Sequence, residues 1–171
     1  MHTAITEESI EKANALFWEQ MLAMQLDPIA ESQWDEQGIR CIGTQHVMGS
    51  CDLSGVWNGR IEVRLSRGLA LQATSAMLMQ PLEAVQASDT LDATKEIANM
   101  IAGTIKSALP RPCTMTVPNA EVEFADFCIP PRTADSVTVF FHHGSGELMV
   151  RVWEYAAEAP SAIDAYEELC A

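Results

Sequence analysis

At 171 residues with 48% apolar content, the chain is sized for one compact domain, able to bury about 70% of the surface that its unfolded form exposes. Ten Lys and Arg against 24 Asp and Glu leave a net charge of −14, which disfavours nonspecific binding to nucleic acid or to an anionic membrane surface. No apolar run approaches the roughly 20 residues needed to cross a bilayer, and the opening Met1-His2-Thr3-Ala4-Ile5-Thr6 lacks the basic start and apolar core of a secretory signal, so a cytoplasmic location is expected.

In chain order, Thr6 is a plausible N-cap. Ile10, Ala13, Leu16, Phe17, Met21 and Met24 follow at spacings of three to four, which predicts a first helix that Asp27-Pro28 stops. Gly38 to Met48 reads as a strand. Asn58-Gly59 sits between Val56-Trp57 and the alternating Ile61, Val63 and Leu65, the pattern of a hairpin; Glu62, Arg64 and Ser66 are then expected on the opposite, wetter face. Leu69 to Met79, ended by Pro81, predicts a second helix. A third runs from about Thr90 to Leu109, with Ser88 or Asp89 as cap candidates and Pro110-x-Pro112 preventing its continuation. Strands are expected over Thr114–Val117, Glu121–Ile129, Ser136–His142 and Leu148–Tyr155, the last two joined by Gly144-Ser145-Gly146. Pro160 to Ala171 reads as a short acidic helix. The expected class is α/β (α+β), an antiparallel sheet of hairpins packed in two layers against long helices.

Cys41, Cys51, Cys113, Cys128 and Cys170 are odd in number and contain no Cys-x-x-Cys pair, so they read as small core residues. His2, His46, His142 and His143 are not spaced for a shared metal, and no metal or cofactor of the protein's own is expected. Chemistry concentrates instead in the third helix. Glu96 and Asn99, three residues apart, share one face and can reach one partner together. Ile97, Ala98, Met100, Ile101, Ala102 and Ile105 form the apolar stripe beside them. Between Ala93 and Pro118 the charged residues are Lys95, Glu96, Lys106 and Arg111, three cations against one anion, or +2 in a chain that is −14 overall.

The segment Asp92-x-x-x-Glu96-x-x-Asn99-Met100-Ile101-Ala102-Gly103 resembles the signature helix of the chemotaxis phosphatases CheX and CheC. Upstream, Gly49 to Met79 resembles that family's hairpin and alanine-rich helix. Downstream, Lys106-Ser107-Ala108-Leu109-Pro110 closes the helix, and Thr114 to Pro118 opens a strand as in those proteins. The resemblance is strongest over residues 40–155 and implies a single CheX-like domain with a CheC-like fold spanning 1–171. Thr104, where many relatives carry Asn, and the position of Pro118 depart from the pattern. Glu11 and Asn14 repeat the Glu-x-x-Asn spacing on the first helix, as in CheC-type proteins with two motifs. Phe17-Trp18 follow that copy in place of the small Ala102-Gly103 pair that lets a partner approach, and it reads as degenerate.

The resemblance implies a phosphatase that hydrolyses the aspartyl phosphate of a CheY-like response-regulator receiver. The regulator carries the Mg²⁺, Asn99 holds the attacking water and Glu96 pairs with the regulator's lysine. Asp92 is expected to cap or orient the helix without touching the partner. Two other classes stand beside this one: a non-catalytic binding or targeting module that keeps the docking helix, and an unrelated small α/β enzyme using Glu96 as a general base. The third has no nucleophile with a recognisable base and no glycine-rich nucleotide loop to support it. The apolar set of the last two strands (Val137, Val139, Phe140, Phe141, Leu148, Val150, Val152 and Trp153), together with the family's sheet-mediated dimers, leads to the expectation of a two-fold homodimer with both motif helices exposed. Its rival is a monomer that keeps this set as internal core.

Overall fold

Among the described residues, a seven-stranded antiparallel sheet carries three helices on one face. The computed structural model describes residues 2, 4–30, 41–42, 45–124, 127–128 and 135–155. The expected helix over Pro160 to Ala171 lies outside the described residues, as do 38–40 and 43–44 of the expected strand over Gly38 to Met48.

Helix α1 (Glu7–Leu22) starts where Thr6 predicts: its hydroxyl accepts from the Ser9 N–H at 3.2 Å, and the Ser9 hydroxyl accepts in return from the Thr6 N–H at 2.9 Å. Its end differs from expectation. The helix closes at Leu22 with Ala23 in the left-handed region (φ 52°), and Asp27-Pro28 joins the sheet as β1 (Asp27–Ile29), paired with β8 (Ser136–His143). Proline lacks a ladder donor but is tolerated on an edge strand, and β1 is the outermost strand on that side.

β2 (Cys41–Ile42) pairs with β7 (Phe127–Cys128) in a small second sheet. β3 (His46–Gly55) and β4 (Gly59–Ser66) form the hairpin predicted from Asn58-Gly59, with Leu53 opposite Gly59 and His46 opposite Ser66. β4 pairs with β9 (Gly146–Glu154), and β9 with β8, so the last two strands enter the centre of the sheet through the expected Gly144-Ser145 turn. The other side of β3 is shared: β5 (Cys113–Met115) pairs with Leu53–Gly55, and β6 (Asn119–Glu123) with His46–Ser50.

Period-two alternation sends Val47, Cys51, Leu53, Ile61, Val63 and Leu65 to the helix-bearing face. There they meet Ile10, Ala13, Phe17 and Trp18 of α1, Leu69, Ala70 and Ala73 of α2 (Arg67–Leu78), and Ile97, Ala98, Ile101 and Ala102 of α3 (Ala87–Ser107). The opposite face is not wet, as the hairpin's alternation suggests. Glu62 and Arg64 are each 7% exposed, and Met48, Phe140 and Met149 are buried with them. Burying those charges is tolerable because they are paired. Arg64 donates to Glu62 and to Glu123 of β6, and His46 Nε2 lies 2.8 Å from Glu123 Oε2. Burial alone would raise the Glu123 carboxyl, but the hydrogen bonds from Arg64 and His46 outweigh it and hold the group below its ordinary value.

Six of the eight apolar residues behind the dimer expectation, Val139, Phe140, Phe141, Leu148, Val150 and Val152, are buried within one chain, while Val137 and Trp153 are half-buried. Cys51 is likewise core, and burial with the neighbouring Asp52 pushes its thiol up to about 11; Cys113 is half-buried.

Candidate functional site

Helix α3 begins at Ala87, three residues before the predicted start. Asp89 accepts from the Gln86 N–H at 2.9 Å, so its carboxylate satisfies an orphan donor from inside the first turn and Gln86 is the N-cap. The helix then lies across β3 at Gly49. A Cβ at that position would stand 2.9 Å from the Thr94 carbonyl oxygen and 3.1 Å from the Ala98 Cβ. Glycine beneath Thr94 and Ala98 therefore sets how close the helix sits to the sheet.

This contact also fixes which way α3 faces. Thr90, Ala93, Thr94, Ile97, Ala98, Ile101, Ala102 and Ile105 are buried. Asp92, Glu96 and Met100 are exposed on the other side, and Asn99 is half-buried between the two faces. Asp92 accepts from Lys95 at 2.9 Å, a local surface pair that orients nothing beyond its own turn. Glu96 and Asn99 have no side-chain hydrogen bond or ion pair with any described residue. An acid and an amide are thus held on a rigid helix, side by side, with their hydrogen-bonding capacity free for a partner.

Of the small pair expected to admit a partner, only Gly103 faces out; Ala102 is buried core. Thr104 turns its hydroxyl back to the Met100 carbonyl at 3.0 Å, so this departure from the family pattern is absorbed within the helix. Beyond Gly103 the same face opens into a cleft of about 680 Å³. Gly103 and Lys106 form one wall, and Arg111, Pro112 and Met115 the other. The second wall is anchored to the β3–β4 hairpin: the Val56 N–H donates to the Pro112 carbonyl at 3.0 Å, and Gly55 (φ +140°) lies so close that a Cβ there would stand 2.3 Å from the same oxygen. Lys106 and Arg111 were visible in the sequence only as a local excess of positive charge. That β5 would bring Pro112 and Met115 opposite Gly103 had no local signal.

The second Glu-x-x-Asn copy is oriented differently. Asn14 is 1% exposed within the helix-bearing core, where its Nδ2 donates to the Ile10 carbonyl at 2.9 Å and its Oδ1 has no partner among the described residues. The first-helix copy offers no amide to a partner. Among the described residues no three His, Cys, Asp or Glu side chains converge as a metal-ligand set, and no helix is long and apolar enough to cross a membrane.

Comparison with solved structures places this architecture in the CheX/CheC-like fold. The chain is similar to CheX from Vibrio vulnificus (TM-score 0.68, 16% identity, covering 91% of this chain and 100% of that one). It is similar to CheX from Desulfovibrio desulfuricans (TM-score 0.65, 20% identity, 86% and 97%). It is also similar to the CheX–CheY–BeF₃–Mg²⁺ complex from Borrelia burgdorferi (TM-score 0.63, 16% identity, 87% and 97%). No curated protein sequence matches the chain. The family model for the chemotaxis phosphatase CheX matches residues 47–142, from the first core residue of β3 through β8, and includes all of α3. The chain belongs to the CheX family of chemotaxis phosphatases.

Proposed function

We propose that the protein dephosphorylates the receiver domain of a CheY-like response regulator, with Asn99 and Glu96 as its working residues. The observation that carries this is the outward, uncommitted Glu96–Asn99 pair on a helix whose other face is locked to the sheet at Gly49. Membership in a phosphatase family supports it, as does the occurrence of a family member in complex with CheY, BeF₃ and Mg²⁺.

Hydrolysis of an aspartyl phosphate needs a water in line with the departing carboxylate oxygen; the water oxygen bonds to phosphorus as the P–O bond to the aspartate breaks. The products are a free carboxylate and inorganic phosphate. The regulator's Mg²⁺ and lysine spread the phosphoryl charge, and the missing contribution is position. An amide supplies an acceptor for the water and a donor for a phosphoryl oxygen in one plane. Holding one reactant in this way can supply several kcal/mol of the barrier. Glu96, one turn nearer the helix start, pairs with the regulator's lysine and sets the depth of insertion. No metal or cofactor of the protein's own enters this scheme.

The test is phosphate release from a panel of phosphorylated receivers. Asn99→Ala should abolish turnover while leaving affinity for a beryllofluoride-loaded receiver nearly intact, whereas Glu96→Ala should weaken the complex as well. Equal losses of affinity alone would contradict these roles. If no receiver loses phosphate faster than by itself yet one still binds, the non-catalytic docking-module reading takes its place. The two-fold homodimer is a separate element of the proposal: it leaves both α3 faces open, and a sedimentation mass near 18.7 kDa removes it without touching the chemistry.

A further inference from the structure

Most cations of the described residues are committed. Lys12 pairs with Glu8, Arg60 with Asp52, Arg64 with Glu62 and Glu123, and Lys95 with Asp92, while Arg151 lies over the Trp153 ring at 4.8 Å. Arg67, Lys106 and Arg111 have no carboxylate partner among the described residues, and two of these three border the cleft that continues the Asn99 face. Asn99 to Gly103 is one turn, about 6 Å along the axis, and Asn99 to Lys106 about 10 Å. Lys106 in the last turn also complements the helix C-terminus, which accounts for its sign but not for that of Arg111 beyond the cap. In a chain of net charge −14, two cations without a carboxylate partner among the described residues, facing each other across a cleft, are a local reversal of charge.

We propose that this cleft is the second half of the receiver-docking surface and that Lys106 and Arg111 seat a carboxylate-bearing segment bordering the receiver's phosphorylation site. The inference rests on the phosphatase reading of the α3 face and adds to it the element that recognises the partner. A site that holds Mg²⁺ beside a phosphorylated aspartate is built from carboxylates, so its rim is acidic, and the rest of this protein repels it. Gly103 between Asn99 and Lys106 leaves the receiver backbone room to span both subsites. Lys106 and Arg111 are positioning residues: they set encounter and register, and Asn99 acts on the water.

The experiment compares wild type, Arg111→Glu, Lys106→Gln and the double variant Lys106→Glu/Arg111→Glu, with Arg67→Glu as an exposed cation away from the cleft. Turnover of the phosphorylated receiver and affinity for its beryllofluoride form are measured at low and high salt. The double variant should raise KM and the dissociation constant about tenfold or more, with kcat little changed, and should flatten the salt dependence. Arg111→Glu, outside the helix, should show part of this effect with an unchanged melting temperature; Arg67→Glu should match wild type. Wild-type affinity and salt slope in the double variant would overturn the inference and leave the phosphatase reading intact. A wild type that binds the receiver without turnover, with binding lost on charge reversal, would overturn the phosphatase reading and uphold the docking surface. If inorganic phosphate inhibits wild type but not the double variant, with KM unchanged, the cleft holds free phosphate and the docking assignment is wrong. If no receiver binds, both fail.

Discussion

Replacing Gly103 by alanine should make the protein more stable and less active at once. The glycine lies within α3, it has no unusual φ, and a Cβ added there meets nothing within 4 Å. Alanine in its place removes the entropic penalty of an interior helical glycine, about 0.5–1 kcal/mol. For a chain of this size each kcal/mol raises the melting temperature by about 2–4 °C. The same methyl, and far more the isobutyl group of Gly103→Leu, projects into the space beside Asn99 through which, in the proposed function, the receiver approaches. An offset of about 1 Å at the reacting atoms can cost about a hundredfold in rate. Thermal unfolding and phosphate-release kinetics on the same preparations read the two effects separately. A Gly103→Ala variant that unfolds earlier would refute the solvent-facing placement. A Gly103→Leu variant with wild-type turnover would refute the idea that this glycine serves the partner.

Gly49→Ala should act the opposite way, since its Cβ meets helix backbone: a loss of about 1–3 kcal/mol in urea unfolding, with impaired turnover as α3 is displaced, is expected. Asn14→Leu should be neutral or stabilising by about 1 kcal/mol in the same assay, because it removes a buried amide oxygen with no partner among the described residues, and should leave phosphatase activity unchanged. The Glu123 carboxyl lies below its ordinary value of 4.5 in the folded state, so it contributes stability that is present above that pH and is lost as pH falls through the folded value. Glu123→Gln should flatten the acid limb of a stability-against-pH curve. With its thiol pushed up to about 11, Cys51 should resist alkylation at neutral pH in the native protein and react once it is unfolded.

Local chemistry was the legible part of this sequence. The Thr6 cap, the hairpin beside Asn58-Gly59 and the α3 stripe each depend on residues within a few positions and are present, with two shifts: Gly59 opens β4 instead of lying in the turn, and Met100, expected in the stripe, faces out. What escaped depends on distant neighbours. Alternation in β4 assigns Glu62 and Arg64 to one face correctly, but it carries no information on Glu123, which pairs with Arg64 there, or on His46, which lies within hydrogen-bond distance of Glu123. Asp27-Pro28 reads as a helix stop because only the sheet order shows that β1 is an edge strand. The α3 start was missed by three residues because Gln86 is an uncommon cap and Asp89 acts from within the helix. The side-by-side placement of Glu96 and Asn99 on α3 follows from their three-residue spacing, whereas the opposing wall of the cleft depends on β5 pairing with the far end of β3.

The two Glu-x-x-Asn copies differ chiefly in phase. Around Asn14 the buried positions are Ile10, Ala13, Phe17 and Trp18, which centre the stripe on the asparagine itself; around Asn99 they are Ile97, Ala98, Ile101 and Ala102, which turn it aside. The displacement is close to one residue, about 100° of helix rotation. A motif of this kind can therefore be silenced or exposed with its own letters untouched, by moving the apolar residues that flank it one step along the chain. The register of those neighbours decides whether a Glu-x-x-Asn pair on such a helix turns its amide outward or builds it into the core.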